Sequence, residues 1–188
     1  MTSTLEPGPF IQTLSGRRVN PFDASPEDID PADIATALSN LCRFGGHSSA
    51  FYSVAQHSVI VADLLEQQGA TPDELMAALL HDAAEAYLGD LPHPIKHRSE
   101  LGEHFKTAEK RLEAVIERRF ALPDATRRVK AIDRALLATE RRTFSRVTWS
   151  WPELEGVDAL ELEIDPWPPQ RAAHEFLERY ERIESARR

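Results

Sequence analysis

The sequence holds one cysteine, Cys42, among 188 residues. No intrachain disulfide can form, so packing alone must carry the fold, and a reducing compartment is the expected setting. Long apolar runs are missing too. No stretch approaches the roughly 20 residues that span a bilayer. The segment MTSTLEPGPF has neither the basic start nor the apolar stretch of a secretory leader. A cytoplasmic protein with no membrane partner is expected. Basic residues are outnumbered, 22 Lys and Arg against 31 Asp and Glu, for a formal net charge of -9. That deficit argues against a nucleic-acid polymer or an anionic membrane as partner, since both require a basic face. It leaves a small phosphate ester open as ligand, because a bound metal ion reverses the local sign. Internal repeats and low-complexity segments are absent.

Apolar residues make up 41% of the chain and charged residues 28%, a balance that predicts one globular domain over 1–188 with a substantial core. The apolar periodicity is helical, and the expectation is an all-α bundle of about six helices with irregular ends. An N-terminal arm covers 1–30. Within it, Phe10-Ile11-Gln12-Thr13-Leu14 and Arg18-Val19 flank Ser15-Gly16, which suits either a small hairpin or an arm packed on the domain. A helical core covers 31–143, and a wrapping segment with a last helix covers 144–188.

Asp30-Pro31 opens the first core helix, with Asp as N-cap and Pro at the first helical position. Cys42 to Ser49 then reads as a loop, broken by Gly45-Gly46. A helix over about 50–68 follows, with His57 on the apolar face set by Val54, Val61, Leu64 and Leu65. Thr71-Pro72-Asp73-Glu74 is a capping box. It starts a helix expected to run to Gly89, a good C-terminal stop. Asp90 to Arg98 reads as a proline-punctuated loop. From 99 to 120 the stripe Phe105, Ala108, Leu112, Val115, Ile116 and Phe120 faces in, while Glu103, Lys106, Glu109, Lys110 and Glu113 form the wet face. Leu122-Pro123-Asp124 makes a break and a fresh N-cap before a helix over 125–143. Trp149, Trp151 and Trp167 lie among prolines in 144–170, and the expectation is a wrapping segment whose tryptophans fill grooves, or a lid. The last helix covers about 169–185.

The chemistry concentrates in Ala77-Ala78-Leu79-Leu80-His81-Asp82-Ala83-Ala84-Glu85. Glu85 lies four residues after His81 and three after Asp82, so the three share one face of a helix. Carboxylates are rarely buried without a partner, and a divalent cation is the simplest one. His57 and Asp133 each sit on an inward face of another helix, and Glu140 follows Asp133 at i+7. Two imidazoles and two carboxylates suit Mn, Fe, Co, Ni or Zn better than Mg or Ca. Four protein ligands leave room for water and a substrate oxygen.

The pattern His57…His81-Asp82…Asp133 resembles the HD-domain metal-dependent phosphohydrolases. The run His81-Asp82-Ala83-Ala84-Glu85, followed by Gly89-Asp90-Leu91-Pro92-His93-Pro94-Ile95-Lys96, is similar to the signature of the bacterial 5′-deoxynucleotidase branch. Arg43-Phe44 matches the Arg-aromatic pair which that branch carries upstream of its first metal His, although the branch usually has Trp where this chain has Phe44. The resemblance covers about 33–143. It implies an HD-domain bundle and a nucleotide substrate, with His57, His81, Asp82 and Asp133 as metal ligands. Glu85 would be the catalytic glutamate, with Asp90 assisting water activation or reading the sugar. Arg43 would contact phosphate, Phe44 the sugar or base, and Lys96 would add charge. A homodimer is expected on the same ground alone. The first substrate choice is a deoxynucleoside 5′-monophosphate. The alternatives are a deoxynucleoside triphosphate losing triphosphate, (p)ppGpp, and a metal- or nucleotide-binding module without turnover.

Overall fold

The computed structural model describes residues 7–123 and 126–188. Within them lie eight helices and one two-stranded sheet. The N-terminal arm forms a hairpin of β1 (Ile11–Gln12) and β2 (Arg18–Val19), paired antiparallel with Ile11 opposite Val19. Ser15 in its turn fastens the hairpin to the helical body: its N–H and hydroxyl both donate to the Asp33 carboxylate, at 2.8 and 2.6 Å.

Local signals set most of the helix starts. Asp30 accepts from the N–H groups of Ala32 and Asp33 and opens α1 (Pro31–Asn40). Ser53 Oγ accepts from the Gln56 N–H at 3.1 Å and opens α2 (Val54–Gln67). The Thr71–Glu74 capping box opens α3 (Pro72–Leu79). Ser99 caps α6 (Glu100–Phe120). The last two long helices are α7 (Thr126–Phe144) and α8 (Pro169–Ala186). The N-cap expected at Asp124 lies outside the described residues. Tyr52, Leu38, Leu65, Met76, Leu79, Leu112, Leu136 and Phe176 are fully buried where these helices meet. Each contributes roughly 1.5–3 kcal/mol of burial.

Two elements differ from the sequence expectation. The helix expected to run unbroken to Gly89 stops at Leu79. Residues 80–84 form tight turns, with Ala83 N–H bonded to Leu80 O and Glu85 N–H to Asp82 O, before α4 (Glu85–Leu88) resumes. A continuous helix would pair the Ala78 carbonyl with the N–H of residue 82. Here that carbonyl accepts from His81 Nδ1 at 2.8 Å, so a side chain competes with the ladder. Gly89, at φ 84, then ends α4 in a conformation that favours glycine. The second difference is that Asp90 to Arg98 is not all loop: Pro92 O accepts from the N–H groups of Ile95 and Lys96, and α5 (His93–Arg98) forms.

Two side-chain expectations also change. Glu109, expected on the wet face of α6, is 6% exposed and holds Lys96 Nζ at 2.6–2.7 Å. Trp149, expected in a groove, is 64% exposed. The segment that carries it is nevertheless tied down. Buried Gln56 on α2 donates to Asp165 O and accepts from the Trp167 N–H, and the Leu160 N–H donates to Thr139 Oγ1 on α7.

Candidate metal centre

Helix α2 brings His57 into the middle of the bundle, where it is fully buried. The turn after α3 brings His81 and Asp82 to the same point. His57 Nε2 lies 3.3 Å from His81 Nε2 and 3.7 Å from Asp82 Oδ2, and His81 Nε2 lies 3.3 Å from Asp82 Oδ2. One ligand atom from each of the three falls within 4.8 Å of the others. Asp133 on α7 joins through His57, its Oδ1 3.2 Å from Nε2. The break in the helix at Leu80 serves this convergence, because it lets adjacent residues 81 and 82 both point inward.

The outward nitrogens decide what the inward ones offer. His57 Nδ1 meets Glu140 Oε1 at 2.6 Å, and His81 Nδ1 meets Ala78 O at 2.8 Å. Both partners only accept, so each Nδ1 carries a hydrogen, and a ring that gives up its other proton presents its Nε2 lone pair to the cluster. Two lone pairs 3.3 Å apart with a carboxylate oxygen beside them suit a shared cation.

Charge agrees with that fit. Burial works against ionisation of Asp82, but His81, His57 and Arg43 hold its carboxyl far below the usual range. Asp133 and Glu140 are likewise desolvated yet held down, Asp133 chiefly by His57 and Glu140 by Arg43 and then His57. Three carboxylates against the one Arg43 guanidinium leave two negative charges in a buried place. Protons compete with a cation for them. Burial and Arg43 pull His57 down, yet Glu140 and Asp133 outweigh both and push it up to about 9. A divalent ion would displace such protons.

Glu85 lies beside this cluster without joining it. It is 9% exposed, and its Oε2 meets no hydrogen-bond partner among the described residues. Burial first, then the charges of Asp82 and Asp90, push its pKa well up. Asp90 is raised as well, chiefly by burial and then by Asp82, against the pull of Arg43. An unpartnered buried carboxyl marks a place where a water or ligand belongs.

Arg43 sits in a 3₁₀ turn, Arg43–Gly46, tethered to the start of α2 through Arg43 N–H to Tyr52 O. Its Nε and Nη2 bond Glu140 Oε2 at 3.1 and 3.0 Å, and Nη1 lies 3.7 Å from Asp82 Oδ2. Phe44 adopts φ 58, ψ 23, a left-handed conformation uncommon for an aromatic residue. Such strain costs about 1–3 kcal/mol and collects at functional sites. Its ring meets Trp151 edge-on at 6.1 Å. Lys96 is engaged by Glu109 and stands outside the converging group. A cavity of about 280 Å³ adjoins the cluster, bounded by His81, Asp82, Asp133, Leu80, Ile116, Val129, Glu113 and Lys130 among others. It is near the small end of the size range for small-molecule sites.

Glu140 is the part of the site that sequence reasoning left without a role. Its signal was an acid one helical face along from Asp133, but its partners lie on α2 and in the 43–46 turn, far away in sequence.

This helical fold with its His-His-Asp cluster is that of the HD-domain metal-dependent phosphohydrolases. The chain belongs to the 5′-deoxynucleotidase YfbR-like family, whose model matches residues 41–137. It is 41% identical over 182 residues to the uncharacterized protein YfdR of Escherichia coli (strain K12), spanning 95% of this chain and 98% of that one. An uncharacterized protein of Rhodobacter capsulatus is 35% identical over 176 residues, 85% of this chain and 89% of its own. Membership makes this protein a metal-dependent nucleotide phosphohydrolase using a divalent ion. The matched span contains Arg43, His57, His81, Asp82, Glu85, Asp90 and Asp133 and stops short of Glu140. No described helix is long and apolar enough to cross a membrane.

Proposed function

We propose that the protein hydrolyses the phosphate ester of a deoxynucleoside 5′-monophosphate. The observation that carries this reading is the convergence of two Nε2 lone pairs and the Asp82 carboxylate, with Asp133 beside them, next to an arginine already fixed in place. His57, His81, Asp82 and Asp133 hold the ion, with Mn, Co, Fe, Ni or Zn suited better than Mg to this nitrogen and oxygen set. When bound, the ion supplies Lewis acidity to the phosphoryl group and acidity to water.

The chain's own residues do the rest. Arg43, held by Glu140, binds a phosphate oxygen and stabilises the charge that spreads over the phosphoryl group in the transition state. Its position is preorganised, so no reorganisation is needed at the moment of reaction. Burial and the charge of Asp82 raise both Glu85 and Asp90, and Asp90 raises Glu85 further, which favours a proton held on these carboxyls. Water adds to phosphorus, the bond from phosphorus to the 5′-oxygen breaks, and that retained proton goes to the leaving oxygen. Water's proton returns to the pair. Phe44 lies against the sugar or base. Lys96, tied to Glu109, adds positive potential from a distance. Phe44 in place of the branch's usual Trp bears on sugar selectivity.

The test is phosphate release from a panel of deoxynucleoside and ribonucleoside mono- and triphosphates with Mn, Co or Mg. Release of inorganic phosphate from deoxynucleoside monophosphates is expected. Release of triphosphate from deoxynucleoside triphosphates alone would overturn the substrate assignment, and no release from any would overturn the enzyme reading.

A further inference from the structure

We infer that Glu140 is a positioning residue that locks the His57 ring and the Arg43 guanidinium into one rigid unit. This rests on the ligand and phosphate roles proposed above and adds a residue outside the matched family span. Glu140 is fully buried, and both its oxygens are used. Oε1 takes the hydrogen of His57 Nδ1 at 2.6 Å. Oε2 takes two from Arg43, Nε at 3.1 Å and Nη2 at 3.0 Å.

Each bond has a distinct consequence. The bond to Nδ1 excludes the other tautomer, in which Nε2 would carry hydrogen and could not ligate. It also fixes rotation of the ring about χ2, and a carboxylate partner raises the donor strength of the opposite nitrogen. The paired bonds to Arg43 fix the guanidinium plane and turn Nη1 toward Asp82, 3.7 Å away. One carboxylate therefore sets where the ion is held and where the phosphate is held relative to it. Two separate acceptors would leave those positions independent.

Glu140→Gln isolates the role, because the side chain keeps its size. Its single amide oxygen can face His57 or Arg43 but not both, and its NH2 meets a donor on the remaining side. In wild type, nitrogen-15 NMR of the Zn-loaded protein should show His57 as the Nδ1–H tautomer, with a strongly downfield Nδ1 proton. In Glu140→Gln that proton should move upfield or exchange too fast to see, and Mn or Co affinity, read by chelator competition, should fall by about 10- to 100-fold. If Glu140→Gln does not fold, Arg43→Gln/Glu140→Gln removes the uncompensated cation. Its metal affinity is then compared with that of Arg43→Gln alone, and the same loss is expected. A variant that loses thermal stability but keeps wild-type metal affinity and the His57 proton signal would make Glu140 merely structural and overturn the inference. His57→Ala separates the two claims. If it keeps full metal content, the ligand set has failed; if it loses metal while Glu140→Gln does not, only the positioning role has failed.

Discussion

Glu140 Oε1 and His57 Nδ1 lie 2.6 Å apart in a fully buried contact that joins α7 to α2. A hydrogen bond to an ionised group contributes about 1.5–3 kcal/mol. Here it also decides which nitrogen of His57 faces Asp82 and Asp133. The metal centre is thus defined by a residue that would not touch the metal.

Glu85→Gln should cut kcat by roughly 100- to 10,000-fold, the usual weight of a proton-transfer group. Metal content should stay at the wild-type level, since Glu85 lies outside the converging atoms. Steady-state kinetics and metal analysis of one preparation check both halves. Activity near wild type would remove Glu85 from the chemistry.

Arg43→Ala should destabilise the fold by about 3–5 kcal/mol, because it leaves the Glu140 carboxylate buried with its main counter-charge gone. Urea unfolding of the metal-free protein measures this. Arg43→Lys should cost less stability but still raise KM for a nucleotide, since a point charge cannot reproduce the fork. A Lys variant with unchanged KM would move phosphate binding elsewhere.

Asp33 offers a pH test away from the centre. Burial tends to raise its pKa, but the Ser15 hydroxyl and N–H bonds outweigh that and leave it lowered. A carboxyl depressed in the folded state stabilises above its unfolded pKa. That stability is lost as pH falls from the ordinary carboxylate range, near 3.8, through the folded value. Asp33→Ala should therefore cost about 1–3 kcal/mol at neutral pH and flatten the acid limb of the stability curve, with metal affinity unchanged. A variant with the wild-type acid limb would contradict the role of this bond.

Gly102→Ala should loosen α5. A Cβ there would fall inside contact distance of the Ile95 and Lys96 carbonyl oxygens. Overpacking of this kind costs about 1–3 kcal/mol, and α5 should move off α6, weakening the Lys96–Glu109 pair. Faster amide exchange at 93–98 is the expected readout, and unchanged exchange would contradict it.

Much of this site was legible in the sequence because helical phase is a local property. His57 and Asp133 could be turned inward from their apolar neighbours alone, whereas His81 and Asp82 are brought together by the turns at 80–84 and not by helical phase. Asp30, Thr71 and Glu74 announced their caps. What escaped depended on partners far along the chain. Glu109 looks wet by periodicity and is buried because Lys96 reaches it from α5. Glu140 looked like a second acid on the Asp133 face, and only the fold brings His57 and Arg43 to it. The break at Leu80 lies in an alanine-rich run without glycine or proline, so propensity gives no warning. It coincides with His81 Nδ1 bonding the Ala78 carbonyl, a contact no local propensity announces.

The most direct test is anomalous diffraction from crystals of the Mn-loaded protein grown with a non-hydrolysable deoxynucleoside monophosphate analogue. One anomalous peak bounded by His57 Nε2, His81 Nε2, Asp82 and Asp133 is expected, with a phosphate oxygen on its open side and Arg43 against the same phosphate. A peak elsewhere, or a peak at this position with the phosphate far from Arg43, would contradict the assignment of the site.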